Sequence, residues 1–151
     1  MNAAERGLSL LETLVAVAIF ALLAAVAMPV FTEAMIAARR AEAQGVMEEL
    51  MQQQERYFTQ ANTYIAFNAG SATGEAKQFR WWSGRSPPGS GYELEGKACD
   101  NDDIANCIQL IARPGTALVD NHFKDPQCEQ LTLTSTGQRT ASGPAASRCW
   151  K

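Results

Sequence analysis

Hydrophobic and polar positions divide the chain into stretches of different period. From Thr13 to Thr32 no residue is charged and almost every position is apolar. These 20 residues, wound as a helix, span roughly 30 Å, the thickness of a bilayer core. From Glu33 onward the pattern becomes one-sided. Ile36, Ala43, Met47, Leu50 and Tyr57 recur at three-, four- and seven-residue steps, and Val46, Met51 and Phe58 widen the stripe. Arg39, Arg40, Glu42, Glu48, Glu49, Gln52 and Glu55 fill the solvated remainder. The spacing predicts a single helix of about 50 residues ending near Asn62, apolar all round in its first half and in need of a sheet to cover its second.

Beyond Asn62 the helical period stops. Residues 63–90 are rich in Gly, Ala and Ser and end in Pro87-Pro88-Gly89, the composition of a long surface connection. Three strand patterns follow: Tyr92-Glu93-Leu94-Glu95 alternates, Ile108 to Arg113 is apolar and partly β-branched, and Leu131-Thr132-Leu133-Thr134 alternates before Thr136-Gly137-Gln138 turns the chain. The fold class expected is α+β, with a long N-terminal helix packed on a small antiparallel meander.

With 151 residues there is room for one membrane segment and one modest core. The net charge of −3 and pI of about 5.2 give no global attraction to nucleic acid, so any such binding needs a local patch. One candidate exists. In Lys77-Gln78-Phe79-Arg80-Trp81-Trp82-Ser83-Gly84-Arg85, three cations interleave with three aromatics, a combination suited to base stacking and phosphate contact. The competing expectation is a strand with Trp81 and Trp82 on opposite faces, one buried and the other exposed as a subunit contact.

Four cysteines, Cys99, Cys107, Cys128 and Cys149, all lie in the C-terminal half. An even count in a small domain behind a membrane segment reads as two disulfides in an oxidising compartment, with three pairings open. A zinc site competes poorly, because there is no Cys-x-x-Cys and His122 is the single histidine. The run Asp100-Asn101-Asp102-Asp103 hints at calcium but lacks the EF-hand glycine and closing glutamate, so a solvated loop is expected. No metal, cofactor or catalytic residue is expected, since neither a nucleophile motif nor a glycine-rich phosphate loop occurs.

At the front, Met1 to Gly7 is a short polar leader without folding capacity. A secretory signal is one reading, with Ala25-Val26-Ala27 as its cleavage site, but Glu12 interrupts an apolar run longer than such signals carry. A plain single-pass anchor is another. Arg39 and Arg40 after the run oppose Arg6 before it, so positive charge leans against export of the C-terminal half, whereas the cysteines place it outside the cytoplasm.

Gly7-Leu8-Ser9-Leu10-Leu11-Glu12-Thr13, with Pro29 later in the same run, resembles the N-terminus of type IV pilins and their pseudopilin relatives. The resemblance implies cleavage by a prepilin peptidase between Gly7 and Leu8 on the cytoplasmic face, and methylation of the new amine on Leu8. Phenylalanine usually stands where Leu8 is, and Ala21 and Ala24 stand where many relatives carry a helix-loosening glycine. Glu55 to Tyr64, Asp125-Pro126-Gln127-Cys128, Leu131-Thr132-Leu133, Ser135-Thr136-Gly137 and Cys149-Trp150 resemble the PilE-like minor pilins. Glu129 stands where glycine often follows the first cysteine, and Lys77 to Arg85 matches no motif of the family. The disulfide-bounded C-terminal region of type IV pilins implies Cys128 with Cys149; Cys99 with Cys107 is expected beside it, pinching the connection between the first two strands.

The resemblance gives Glu12 a role that its chemistry supports. A charge at the bilayer centre costs about 2.5–3.5 kcal/mol, but Glu12 would lie roughly 6 Å below the new terminus, near the interface. In a packed filament it would need a cation, and no Lys or Arg occurs between Leu8 and Thr32. The α-amine of a neighbouring subunit is available: at about 4 Å and an effective dielectric of about 20 the pair attracts by about 4 kcal/mol before desolvation is subtracted. An interfacial carboxylate without a partner is the alternative. Pro29 removes a helical hydrogen bond and is expected to kink the helix unless neighbours restore it.

The expected protein is thus a membrane-embedded precursor in the type IV pilin fold. Residues 1–7 form the leader, 8–32 the transmembrane and filament-core helix, 33–62 the amphipathic helix and 63–151 a disulfide-bonded head. It would be a minor pilin supporting pilus biogenesis, twitching motility or adhesion. Its partners would be other pilin subunits, the prepilin peptidase, the inner-membrane assembly machinery and membrane lipid before assembly. The alternatives are a DNA-uptake receptor pilin using Lys77, Arg80, Trp81, Trp82 and Arg85, a type II secretion pseudopilin, and a non-assembling anchored domain.

Overall fold

The structure, a computed structural model, describes residues 9–71 and 74–150. The leader and the expected cleavage pair Gly7 and Leu8 lie outside the described residues. The chain falls into two compact units that divide between Met35 and Ile36, and each is described by itself.

Residues 10–35 of helix α1, Leu10–Ala61, follow Ser9 in the described part of the first unit. The carbonyl of Ser9 accepts from both the backbone N–H and the hydroxyl of Thr13. The helix is unbroken through position 29. Its described apolar side chains up to Met35 are exposed, Leu10 at 80 % and Phe20 at 74 % among them. By length and composition the segment can cross a membrane.

In the second unit the stripe meets its sheet. Ala43, Val46, Met47 and Leu50 are buried, and Ile36, Met51, Tyr57 and Phe58 are half-buried against the same core. Asn62, with φ 53°, ends the helix in the left-handed conformation that asparagine tolerates at a C-terminus. Strands β1 (Tyr92–Ala98), β2 (Ile108–Pro114), β3 (Leu131–Thr134) and β4 (Arg139–Ala141) follow in the order β1-β2-β3-β4, each antiparallel to the next. Leu94 pairs with Ala112 and Leu110 with Leu133. This register puts Tyr92, Leu94, Ile108, Leu110, Ala112, Leu131 and Leu133 on one face, in the core with the α1 stripe. The structure joins Cys99 to Cys107 across the β1–β2 connection and Cys128 to Cys149 around β3 and β4.

Residues 63–90 depart from the expected surface connection. Tyr64, Phe67, Phe79, Ser83 and Ser90 are buried. Phe67 exchanges both backbone hydrogen bonds with Gly96, at 3.0 and 2.9 Å, and Trp82 bridges Glu93. The physical reason is the edge of β1. Left bare, it would present a row of unpaired N–H and C=O groups, and this segment covers it at two points. Gly96 permits the closer contact: a Cβ there would stand 2.5 Å from the Phe67 ring.

Arg39 and Arg40 also depart from expectation, since neither is a merely solvated charge. Arg39 donates to Asp120 at 2.6 Å and lies over the Phe123 ring. Arg40 donates to both oxygens of Asp125, which is fully buried and also accepts from the Tyr92 hydroxyl and the Cys128 N–H. Burial alone would push the Asp125 carboxyl up; the hydrogen bonds from Arg40 and Tyr92 outweigh it and hold it below the usual carboxylate range.

Candidate functional site

The segment from Lys77 to Arg85 is carried on the head by two anchors. At its start, a single 3-10 turn over Glu75–Gln78 holds Lys77 outward, while Glu75 accepts from the Tyr57 hydroxyl on α1. Phe79 then turns inward, stacked on Phe67 at 5.3 Å and edge-on to Tyr57. At its end, the segment joins the margin of the sheet. Leu94 N–H donates to the Trp81 carbonyl at 2.7 Å, Ser83 N–H donates to the Tyr92 carbonyl at 3.1 Å, and Tyr92 N–H donates to the Ser83 hydroxyl. Gly84 is enclosed next to Ser90, whose hydroxyl accepts its N–H at 2.7 Å.

Between these anchors the expected strand does not form. Trp81 and Trp82, instead of pointing to opposite faces, pack edge to face with ring centroids 5.2 Å apart. Both are half-buried, and the Trp82 indole N–H is buried without an acceptor among the described residues. The isolated bridge explains the difference: one paired residue does not impose the pleat of a regular strand, so the adjacent rings are free to meet.

Five cations of the second unit, Arg39, Arg40, Lys97, Arg113 and Arg139, each pair with a carboxylate. Arg56, Lys124 and Arg148 form no salt bridge among the described residues, and neither do Lys77, Arg80 and Arg85 of this segment. Lys77 and Arg85 are exposed, and Arg80, half-buried, reaches only the Gly84 carbonyl, at 3.4 Å. Their charge is uncommitted, next to two indoles.

A second feature lies on the sheet face turned away from α1. A groove of about 360 Å³ is walled by the Cys99–Cys107 loop on one side and the β3–β4 turn on the other. Gln130, Thr132, Thr140 and Gln138 line it, with Ile111 and Gln109 on its floor. Gln109 is committed, donating to the Ala98 carbonyl and to Asp100. The alternation of Leu131 to Thr134 already set Thr132 and Thr134 opposite the core leucines; that Gln130, Gln138 and Thr140 would join them depended on pairing with β4. The acidic loop is internally bonded, with Asp102 accepting from Asp103 N–H and the Asn106 amide. No metal-ligand cluster occurs among the described residues.

Of the remaining expected positions, Glu12 stands exposed on α1 in the first unit, and the side chain of Pro29 lies outside the described residues. Sequence reasoning missed Gln54, which is fully buried and uses both ends of its amide on the Ile65 backbone, donating at 2.8 Å and accepting at 3.0 Å. Its place on the helical stripe, four residues after Leu50 and seven after Met47, was the available signal.

No curated relative matches the chain. Among solved structures, a type IV pilin from Shewanella oneidensis is 24% identical, with a TM-score of 0.49 over 77% of this chain and 98% of that one. The Neisseria meningitidis non-core minor pilin PilV is 19% identical, with a TM-score of 0.46 over 72% of this chain and 88% of that one. The profile of the prokaryotic N-terminal methylation motif matches residues 2–28. The profile described as type IV minor pilin ComP, DNA uptake sequence receptor, matches residues 29–132, well over half the chain. By that match over more than half of its length, the chain belongs to the ComP family of type IV minor pilins.

Proposed function

We propose that this minor pilin is a DNA-uptake receptor carried in a type IV pilus, with Lys77, Arg80, Trp81, Trp82 and Arg85 as its contact to the nucleic acid. The observation that carries the reading is the uncommitted charge of Lys77, Arg80 and Arg85 beside two packed indoles, on a head whose other described arginines mostly pair with carboxylates. Cations free of internal partners can exchange condensed counterions for phosphates, and indoles offer stacking faces to unpaired bases. The family description, which names a DNA uptake sequence receptor, supports the same reading.

The route to the fibre is part of the proposal. A prepilin peptidase cuts between Gly7 and Leu8 and methylates the Leu8 amine. Residues 8–32 hold the precursor in the inner membrane, with the head in the periplasm, and then pack against other pilin subunits in the filament core. There Glu12 neutralises the α-amine of a neighbour, in an interior that holds no other cation from this stretch.

The test is the salt dependence of duplex binding by the full-length protein in neutral detergent micelles. Neutralising Lys77, Arg80 and Arg85 to glutamine is expected to weaken binding to every duplex alike and to flatten the slope of log K against log salt by about 0.9 for each phosphate that is no longer neutralised. Binding unchanged by the triple substitution removes the patch, and no binding to any duplex at low salt removes the receptor reading.

A further inference from the structure

The cationic segment contacts phosphate and stacks, and neither action tells one base sequence from another. We infer that a separate surface does the reading: the outer face of the β3–β4 hairpin, where Gln130, Thr132, Thr140 and Gln138 face the groove, meets base edges in the DNA major groove. The inference rests on the receptor reading above.

Three observations carry it. The first is chemical. Glutamine amides and threonine hydroxyls are the neutral donors and acceptors that fit base edges, glutamine pairing bidentately with adenine and the threonine methyl packing on thymine. Neither the Gln130 nor the Gln138 amide takes part in the side-chain hydrogen bonds of the described residues, so their capacity is unspent. The face also carries the pairs Glu95 with Arg113 and Lys97 with Asp100, while Glu93 on the face and Asp102 and Asp103 on the loop that walls the groove have no cation partner among the described residues.

The second is geometric. β3 and β4 form a two-stranded ribbon at the edge of the sheet, and the major groove, about 12 Å wide, admits such a ribbon. Thr132 pairs with Thr140, and Thr134 N–H donates to the Gln138 carbonyl. Gln130 lies four residues before Thr134, so the two glutamines stand roughly 13 Å apart along the ribbon, about four base-pair steps.

The third is continuity. Trp82 pairs with Glu93, and Glu93 with Arg113. The bridge seats the segment on the edge of β1, so its backbone borders the sheet at the margin opposite the ribbon. Strand spacing of about 4.8 Å puts that margin roughly 15–20 Å from the ribbon, within the width of one duplex contact. A duplex read by the ribbon would run its backbone toward the free cations.

Selection from a pool of randomised duplexes tests this, using full-length protein in neutral detergent at one fixed salt concentration. The wild type is expected to recover a preferred duplex bound at least about tenfold tighter than its scrambled version. Gln130→Ala with Gln138→Ala is expected to bring that ratio to near one while leaving affinity for the scrambled duplex within about twofold. Far-UV circular dichroism and the melting temperature confirm that the double variant folds; Gln130→Leu with Gln138→Leu, neutral and close to glutamine in size, provides a second form of the same loss. A preference that survives both variants, or a wild type with no preference, overturns the reading surface alone. Absence of binding to any duplex overturns it together with the receptor reading.

Discussion

The guanidinium of Arg40 meets both carboxylate oxygens of Asp125, Nε at 2.7 Å and Nη2 at 2.8 Å, across a separation of 85 residues. One partner is on α1 and the other lies three residues before Cys128, so the contact ties the helix to the disulfide-closed end of the chain. Asp125 has no exposed side-chain surface and Arg40 has little. Removing one partner of such a pair leaves an uncompensated buried charge, which costs more than the pair itself contributes. Arg40→Ala and Asp125→Ala are each expected to destabilise the head by about 3 kcal/mol, and replacing both together by less than the sum. Chemical denaturation of the single and double variants checks the non-additivity.

Acid should find the same place. Asp125 is held below the usual carboxylate range, as are Glu95 by the hydrogen bond from Arg113 and Asp120 by that from Arg39. A carboxyl whose folded pKa is depressed binds fewer protons folded than unfolded. Its contribution is therefore complete above the unfolded value, near pH 4, and is lost as pH falls through the folded one. The melting temperature is expected to be level from about pH 7 to 5 and to fall below about pH 4. Asp125→Asn should make that fall shallower; an unchanged acid limb would show that the clamp is not the titrating group.

Gly96 is the point at which residues 63–90 close on the sheet. A methyl group there would stand 2.5 and 2.8 Å from atoms of the Phe67 ring and 3.2 Å from Ile108. Gly96→Ala is expected to cost about 1–3 kcal/mol by overpacking, and a thermal melt together with near-ultraviolet circular dichroism would register the displaced ring.

Glu129 has φ 52°, the left-handed region in which an L side chain is strained. A glycine at this position avoids that strain. Glu129→Gly is therefore expected to be neutral to stabilising by up to about 1 kcal/mol, the relief exceeding the chain entropy that glycine adds to the unfolded state. A lowered denaturation midpoint would mean that the Ser142 hydroxyl bond to Glu129 outweighs the strain.

For assembly, Glu12→Gln should spare insertion and cleavage while reducing incorporation into filaments, because the amide cannot neutralise a neighbour's amine. Quantifying the processed protein in membranes against that in sheared pili separates the two steps. Equal incorporation of the variant would remove the pairing.

What the sequence determined by itself is what repeats locally. The apolar run and the three- and four-residue stripe through Met47 and Leu50 reveal helix α1, and the period of two in Tyr92–Glu95 and Leu131–Thr134 reveals β1 and β3, because each pattern records which side of its own element must leave water. Other features required chain distant in sequence to be brought near. Residues 63–90 look like a loop because their buried aromatics follow no period; only the bare edge of β1 gives Phe67 and Trp82 their place. Arg40 reads as one more solvated charge until Asp125 arrives, and Gln54 as a polar interruption until the Ile65 backbone meets its amide. Three-residue β4 is too short to carry a period, yet it turns the alternation of β3 into a two-stranded face. Periodicity encodes one-sidedness, whereas partnership between remote groups is a property of the closed structure, and the uncommitted cations are recognisable only once the committed ones have found their carboxylates.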